Sequence, residues 1–227
     1  MFAYLRARLF RAFADWAIQR AMRTPYFHLF HDDGRPYMQR FWLLRIGMPK
    51  GWRKTEQMAR DLELAVGSVW ANDSLLGHAS QKLAAEIRAK LYPRFGIRIH
   101  RIMSSDDRAF HDHPWNYTTL ILRGGYTEVT PTGFQPHQIA LSENYDGSDP
   151  VTYTEHTAVR YDAGSLLRRK ANSWHYLVLD PGTEAWTLFC TGRKRQTWGF
   201  LADGLLKVPY GLYLRRRRER AQGAVSA

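Results

Sequence analysis

The segment from Arg108 to Glu128 has the sequence RAFHDHPWNYTTLILRGGYTE and carries the strongest structural signal in the chain. Its two histidines, His111 and His113, are separated by one residue. On an extended segment, residues i and i+2 point to the same side, so both imidazoles can reach one ion. Pro114 cannot donate to a β ladder, which fits the place where a strand begins or bends. The apolar run that follows ends in a Gly-Gly pair, which is typical of a turn.

The sequence around this segment is typical of a β protein. From Ile97 onward, short runs of β-forming residues are separated by turn residues, from IRIHRIM at the start to TWGFL at the end. There are about seven to nine such runs, without intervening helices. This spacing predicts a closed or double-sheet antiparallel architecture.

A third histidine follows a similar pattern in YDAGSLLRRKANSWHYLVL, residues 161–179. Gly164 makes the turn into a strand, and His175 stands at the head of the next strand. Three neutral imidazoles can hold a divalent ion and leave coordination positions open. Imidazole accepts iron, zinc, nickel, copper or cobalt, so the spacing does not name the ion. Asp112 is expected to face the other way and to accept a hydrogen bond from a ligand ring.

Together the two segments resemble the cupin family of small double-stranded β-barrels with a metal at the centre. The first cupin motif is His-x-His, then an acid, then glycine, and His111, His113 and Gly124 match its spacing. The second motif begins with glycine and ends with histidine, and Gly164 and His175 match those two positions.

The sequence departs from the cupin motifs at three points. The acid position of the first motif falls on Tyr117 or its neighbours, so the usual fourth ligand is missing. The proline and the inner glycine of the second motif are Lys170 and Asn172. The resemblance covers roughly residues 97–202.

A cupin with three histidines and no glutamate ligand resembles the thiol dioxygenases in particular. These enzymes hold ferrous iron by three histidines and add dioxygen to a small thiol, and their first motif also opens His-Asp-His. The resemblance implies an arginine for the substrate carboxylate and a tyrosine near the iron. We assign these catalytic roles to Arg101 and Tyr117, with Arg98 and Tyr176 as the alternatives. Glu128 is expected to form a salt bridge rather than to bind the metal.

Composition bounds the class and compartment of the protein. The chain has 227 residues, 44% of them hydrophobic and 14% aromatic, which is enough to bury a substantial core. The single cysteine, Cys190, excludes an intramolecular disulfide framework and fits a reducing compartment. No apolar run approaches the roughly 20 residues that span a bilayer. We therefore expect a cytoplasmic protein with no transmembrane segment. The alternative is an organellar protein, because an Arg-rich N-terminus with Asp15 as its single acid is also typical of a transit peptide.

Positive charge is concentrated at both ends of the chain. Lys and Arg number 33 against 21 Asp and Glu, a formal net charge of +12. Arg215 to Arg218, with Arg220, follow a strand-like YGLYL, and the segment after them is predicted to fray. Such a basic surface could neutralise phosphates, so nucleic acid is a candidate partner, and a merely solvated surface is the alternative.

The N-terminal residues predict an amphipathic helix with arginines on its flanks. Leu5, Leu9, Phe13 and Trp16 recur at spacings of three and four, together with Phe2 and Ala17. This face could lie on a membrane surface, but it is expected to pack on its own domain. Residues 37–48 are predicted as a strand, and residues 54–96 as two helices.

These features predict a helical extension over residues 1–95, a cupin-like β-barrel over 96–208 and a basic tail over 209–227. The fold class is mainly β, a cupin-type double-stranded β-helix (jelly-roll barrel) with an N-terminal α-helical extension. The expected function is a dioxygenase-type oxidoreductase that holds Fe(II) and acts on a small anionic molecule. The alternatives are a non-catalytic cupin-like binding module, with a structural metal or none, and an isomerase-type cupin that uses histidine as a base on a sugar.

Overall fold

The computed structural model describes most of the chain outside one long central segment. The described residues are 2–23, 25–31, 35–46, 95–133, 139–141, 145, 155–202 and 206–225. Residues 1–44 and 96–227 form one compact unit, and residues 45–95 form a second. The two helices predicted over residues 54–96 fall almost entirely outside the described residues.

The described elements are short strands between an N-terminal and a C-terminal helix. They are α1 (Phe2–Met22), β1 (Pro25–Phe30), β2 (Pro36–Ile46), β3 (Phe95–Ile102), β4 (Trp115–Arg123), β5 (Gly125–Pro131), β6 (Ala140–Leu141), β7 (His156–Asp162), β8 (Leu166–Arg169), β9 (Tyr176–Val178), β10 (Ala185–Lys194), β11 (Gly199–Ala202), β12 (Leu206–Pro209) and α2 (Tyr210–Val225). No helix within these described ranges is long and apolar enough to cross a membrane.

The strands form a six-stranded sheet and two three-stranded sheets. Their orders are β1-β2-β3-β10-β4-β8, β7-β5-β9 and β11-β12-β6. The first two sheets share one core, in which Ile102 of β3 and Ile121 of β4 pack with Tyr126 of β5 and Leu177 of β9. Sheets that face each other across a common core are the architecture that the spacing of the strands predicted. The predicted fold class, mainly β with an N-terminal helix, is confirmed.

Two strands of the large sheet come from the segment that the sequence assigned to the helical extension. The strand predicted over residues 37–48 is β2, and β1 pairs with it antiparallel. β2 lies beside β3 in the sheet. The sheet therefore includes strands that precede residue 96, where the barrel was predicted to begin.

Helix α1 is amphipathic, but the face that it buries is not the predicted one. The buried face is made of small and aliphatic side chains, namely Ala14, Ala17, Ile18 and Ala21. They pack on Ile99 and Trp186 of the large sheet. Alanine lets a helix backbone approach closely, and the large residues of the sheet fill the remaining space. The larger apolar side chains that were expected to pack on the domain, Leu5, Leu9, Phe13 and Trp16, are exposed.

The C-terminal segment is helical as far as Val225, so the strand-like interpretation of YGLYL is wrong. Residues 210–225 form α2, and Tyr213 is 1% exposed. It packs with Ala202 and Val208, next to β11 and β12. Packing of one helix face supplies the stability that a short basic helix lacks by itself.

The turn between β4 and β5 generates a test of the fold. Gly124 has a φ of +67°, and a Cβ there would collide with the carbonyl oxygen of Glu184. Gly182 has a similar φ of +71°, but a Cβ there would meet no atom within 4 Å. Gly182→Ala should lower the free energy of unfolding by about 1 kcal/mol, the ordinary cost of a left-handed residue. Gly124→Ala should lower it by about 3 kcal/mol, because the backbone must also move. Urea unfolding measures both, and equal losses would contradict the described turn.

Candidate metal centre

The histidine segment is held between two other strands by backbone hydrogen bonds. The amide of His111 donates to the carbonyl of His175 at 3.0 Å, and the amide of His175 donates back to His111 at 3.1 Å. On its other side His111 bridges to Phe200. Residues directly opposite each other in an antiparallel pair point their side chains to the same face. The fold therefore places the imidazoles of His111 and His175 side by side.

His113 joins them because it stands two residues after His111 on an extended segment. One ligand atom from each of His111, His113 and His175 lies within 4.8 Å of the others. The Nε2 atoms of His113 and His175 are 2.9 Å apart. Two imidazole nitrogens bound at right angles to an ion, each about 2.1 Å from it, would be about 3.0 Å apart. The arrangement can hold a divalent cation.

Burial keeps two of these imidazoles in the form that binds metals. Burial lowers the pKa of His111, and it lowers the pKa of His113 further below the ordinary value. Both rings are therefore neutral at physiological pH, and a neutral imidazole offers a lone pair. The Nδ1 of His111 lies 3.2 Å from the carbonyl oxygen of Ala109. Since a carbonyl only accepts, this contact fixes the proton on Nδ1 and leaves Nε2 for an ion.

A buried carboxylate orients the third imidazole. Nδ1 of His175 donates to Oε1 of Glu128 at 2.6 Å. The guanidinium of Arg169 donates to both carboxylate oxygens, from Nε at 3.1 Å and from Nη2. Burial raises the pKa of Glu128, but the hydrogen bonds from His175 and Arg169 outweigh it and lower the pKa to about 2. Glu128 is ionised, forms the predicted salt bridge, and turns Nε2 of His175 toward the cluster.

The fold places Tyr117 beside the three histidines, as its predicted role near the metal requires. Its hydroxyl lies 3.4 Å from Nε2 of His175, and its ring centroid lies 4.6 Å from that of His113. Burial, with the charge of Glu128, raises the pKa of Tyr117 well above its ordinary value. The phenol therefore stays protonated and can donate a hydrogen bond at the edge of the site. Tyr176, the alternative, packs against Phe110 with ring centroids 4.9 Å apart.

Arg101 is not brought to the cluster. It pairs with Trp186 in the ladder between β3 and β10, so it points to the face of the sheet that carries α1. There its guanidinium binds Glu184 at 2.6 Å. Arg98 pairs with Phe189 and so points to the opposite face, where it is 5% exposed. Its guanidinium lies over the rings of Trp42 and Trp115.

His100 lines the interior near the cluster, and no role was predicted for it from the sequence. Its ring stacks on Phe189, with centroids 4.6 Å apart, and Phe189 lies 6.1 Å from the ring of His113. Burial lowers the pKa of His100 well below the ordinary value, so this ring is also neutral. The alternation of IRIHRIM was the available signal, because it places His100 on the same face as Arg98.

Asp112 does not orient a ligand ring, which corrects that prediction. Its carboxylate is 1% exposed and accepts hydrogen bonds from Gln196 at 2.7 Å and from the amide of Gly199 at 2.9 Å. It also pairs with Lys207 of β12. These three donors satisfy the carboxylate, so Asp112 ties the histidine segment to β11 and β12 instead.

Comparison with known proteins finds no matching family model and no matching curated protein. Solved structures do match. A cupin 2 conserved barrel domain protein from Rhodopseudomonas palustris has 10% identity and a TM-score of 0.39, over 79% of this chain and 77% of that chain. The iron(II) form of HppE has 10% identity and a TM-score of 0.36, over 73% and 55%. The DMSP lyase DddQ from Ruegeria pomeroyi has 12% identity and a TM-score of 0.31, over 46% and 41%.

This chain is therefore similar to cupin-domain structures, as its sequence motifs predicted. It spans less than two thirds of the length of HppE and of DddQ. At such identities and TM-scores the likeness carries no argument about this chain, whose fold is described by its own strands. The metal centre is defined by its own contacts.

The contact between Glu128 and Arg169 generates a test of the site. Glu128→Gln should lower the free energy of unfolding by about 3 kcal/mol at pH 7 with chelator present, because it leaves a partly buried arginine without its counter-charge. The matched control is Glu184→Gln, whose carboxylate pairs with Arg101 and is 38% exposed. Glu184→Gln should lower the free energy of unfolding by less than about 1 kcal/mol. Equal losses of unfolding free energy in the two variants, measured by urea unfolding, would contradict a special role for Glu128.

Proposed function

We propose that this chain is a metal-dependent enzyme, a dioxygenase-type oxidoreductase that acts on a small anionic molecule. In this proposal His111, His113 and His175 hold a divalent cation, which is ferrous iron. The observation that carries the proposal is the convergence of three imidazoles in the barrel interior, with the Nε2 atoms of two of them 2.9 Å apart.

The charge of the site favours an anionic substrate. His111 and His113 are neutral imidazoles, and the charge of Glu128, the carboxylate that binds His175, is compensated by Arg169. A bound divalent cation would therefore keep its charge of +2 in a buried site, where an uncompensated charge is costly. When bound, ferrous iron would supply open coordination positions for dioxygen and an anionic substrate.

Tyr117 and Arg98 are the protein groups to which the proposal assigns contact with such a substrate. The hydroxyl of Tyr117 is protonated and lies beside Nε2 of His175, so it would donate a hydrogen bond to a bound anion. Arg98 lies on the interior face of β3 and would attract a second anionic group. Arg101 receives no role here, because it binds Glu184 on the other face.

Aromatic rings border the cluster and would exclude water from it. The ring centroids of Phe200 and Trp198 lie 5.7 Å and 6.3 Å from that of His111. On another side Phe189 lies between His100 and Tyr117. Apolar walls around a few convergent polar groups are typical of small-molecule sites.

The proposal is tested by loading the purified chain with iron without oxygen and then measuring oxygen uptake with small thiols and carboxylates. Wild type should bind about one iron per chain and consume oxygen only when a substrate is present. His113→Ala should lose iron binding at least about tenfold, because one of three ligands is gone. His156→Ala removes an exposed histidine on β7 and should behave as wild type.

Two outcomes would contradict this function. Stoichiometric zinc without affinity for iron would rule out the oxygenase. Iron binding with no substrate-dependent oxygen uptake across the panel would favour a binding module.

The role of Tyr117 gives a separate prediction. Tyr117→Phe should keep the iron and lower kcat by about 100-fold, because the variant removes one hydrogen-bond donor from the reacting centre. Tyr176→Phe is the matched control, since that ring packs on Phe110, and it should change kcat less than about threefold. Loss of iron from Tyr117→Phe would instead identify the hydroxyl as part of the ligand set.

A further inference from the structure

Helix α1 exposes a row of large apolar side chains on the face away from its own domain. Leu5, Leu9, Phe13 and Trp16 are 52%, 63%, 41% and 56% exposed. Their spacing of four, four and three residues aligns them along one side of the helix over about 16 Å. The opposite side is already used, because Ala14, Ala17, Ile18 and Ala21 are buried against the sheet. Monomeric soluble proteins seldom expose such a continuous apolar row.

The charges beside this row are positive. Arg6, Arg8 and Arg20 are exposed, and helical geometry places them next to the apolar side chains. The one acid of the helix, Asp15, is paired with Arg123 of β4 at 2.6 Å, so it does not offset them. The surface therefore combines aliphatic and aromatic side chains with exposed guanidinium groups.

We infer that the exposed face of α1 binds the surface of a membrane that contains anionic phospholipids, with the helix lying parallel to the bilayer. Interfacial helices combine this apolar row with flanking arginines. Phospholipid phosphates would pair with the arginines, while Leu5, Leu9 and Phe13 would enter the acyl region. Trp16 has the amphipathic ring that favours the headgroup level.

Two features favour a bilayer over a macromolecular partner. A nucleic acid would satisfy the arginines with phosphates but would leave Leu5 and Leu9 without an apolar partner. A protein groove takes the apolar face of a helix and needs no flanking arginines, whereas an anionic bilayer binds both the apolar row and the arginines beside it. A bilayer needs only one face and no complementary groove. The inference is independent of the metal centre.

The test is co-sedimentation of the full chain with vesicles, using phosphatidylcholine with one quarter phosphatidylserine against phosphatidylcholine alone. Wild type should bind the anionic vesicles at least about tenfold more tightly, and the difference should shrink at high salt. Leu9→Ser and Phe13→Ser should each weaken binding about tenfold, since each removes one side chain from the acyl region. Arg6→Glu with Arg20→Glu should weaken binding at least as much.

Matched controls separate this face from the rest of the surface. Leu166→Ser removes a leucine of β8 that is 59% exposed, and it should bind vesicles as wild type does. Arg193 is exposed on β10, so Arg193→Glu changes charge without touching α1 and should bind vesicles within about twofold of wild type. Circular dichroism should be unchanged in every variant, because the substituted side chains are exposed.

Four results would overturn the inference. The first is no binding of wild type to anionic vesicles. The second is binding that Leu9→Ser and Phe13→Ser leave unchanged. The third is a concentration-dependent dimer, seen by sedimentation velocity, that Leu9→Ser abolishes, because the row would then be covered by a second copy. The fourth is RNA binding that the same variants abolish, with no vesicle binding.

Discussion

The reciprocal backbone hydrogen bonds between His111 and His175 join two segments that are far apart in the chain, and the candidate site depends on this pairing. A slip of one residue would turn one of the two rings to the other face of the sheet. The register is held from outside the cluster. Asp112 accepts hydrogen bonds from Gln196 and from the amide of Gly199 in β11, and the amide of His113 donates to Ala171 at 3.0 Å. These contacts use peptide groups and side chains that do not face the cluster, so the imidazoles remain available for a ligand.

The buried carboxylate that contacts the histidine cluster is balanced by a guanidinium. His111 and His113 are neutral, and the charge of Glu128 is compensated by Arg169. A bound divalent cation would add two positive charges to the cluster, and an anionic substrate would compensate them.

The large sheet separates the two candidate functional surfaces. The neighbouring residues Ile99 and His100 point to opposite faces of β3, the first toward α1 and the second toward the interior beside Phe189. Binding of α1 to a surface would therefore leave the metal centre untouched.

Local sequence patterns predicted the strands and the histidine cluster, because spacing within one strand decides which side chains share a face. The patterns failed where contact with a partner strand or helix determines which face of a segment is buried. IRIHRIM carries basic and apolar residues on both faces, so only its register with β10 shows that Arg98, and not Arg101, faces inward. In α1 the large side chains dominate the hydrophobic pattern, yet alanines allow the closer approach to the sheet. In α2 the basic run conceals Tyr213, whose burial stabilises the helix. Residues 1–95 were assigned as a helical extension from local spacing, and local spacing cannot show that β1 and β2 join the large sheet.

X-ray absorption at the iron edge of the loaded full chain tests the central claim most directly, because it counts imidazole ligands without requiring a known substrate. The proposal predicts three imidazoles at about 2.1 Å, the distance typical of such ligands, and two in His175→Ala. The same spectrum from His175→Ala and wild type, or a wild-type spectrum without imidazole scattering, would contradict a metal centre built from His111, His113 and His175.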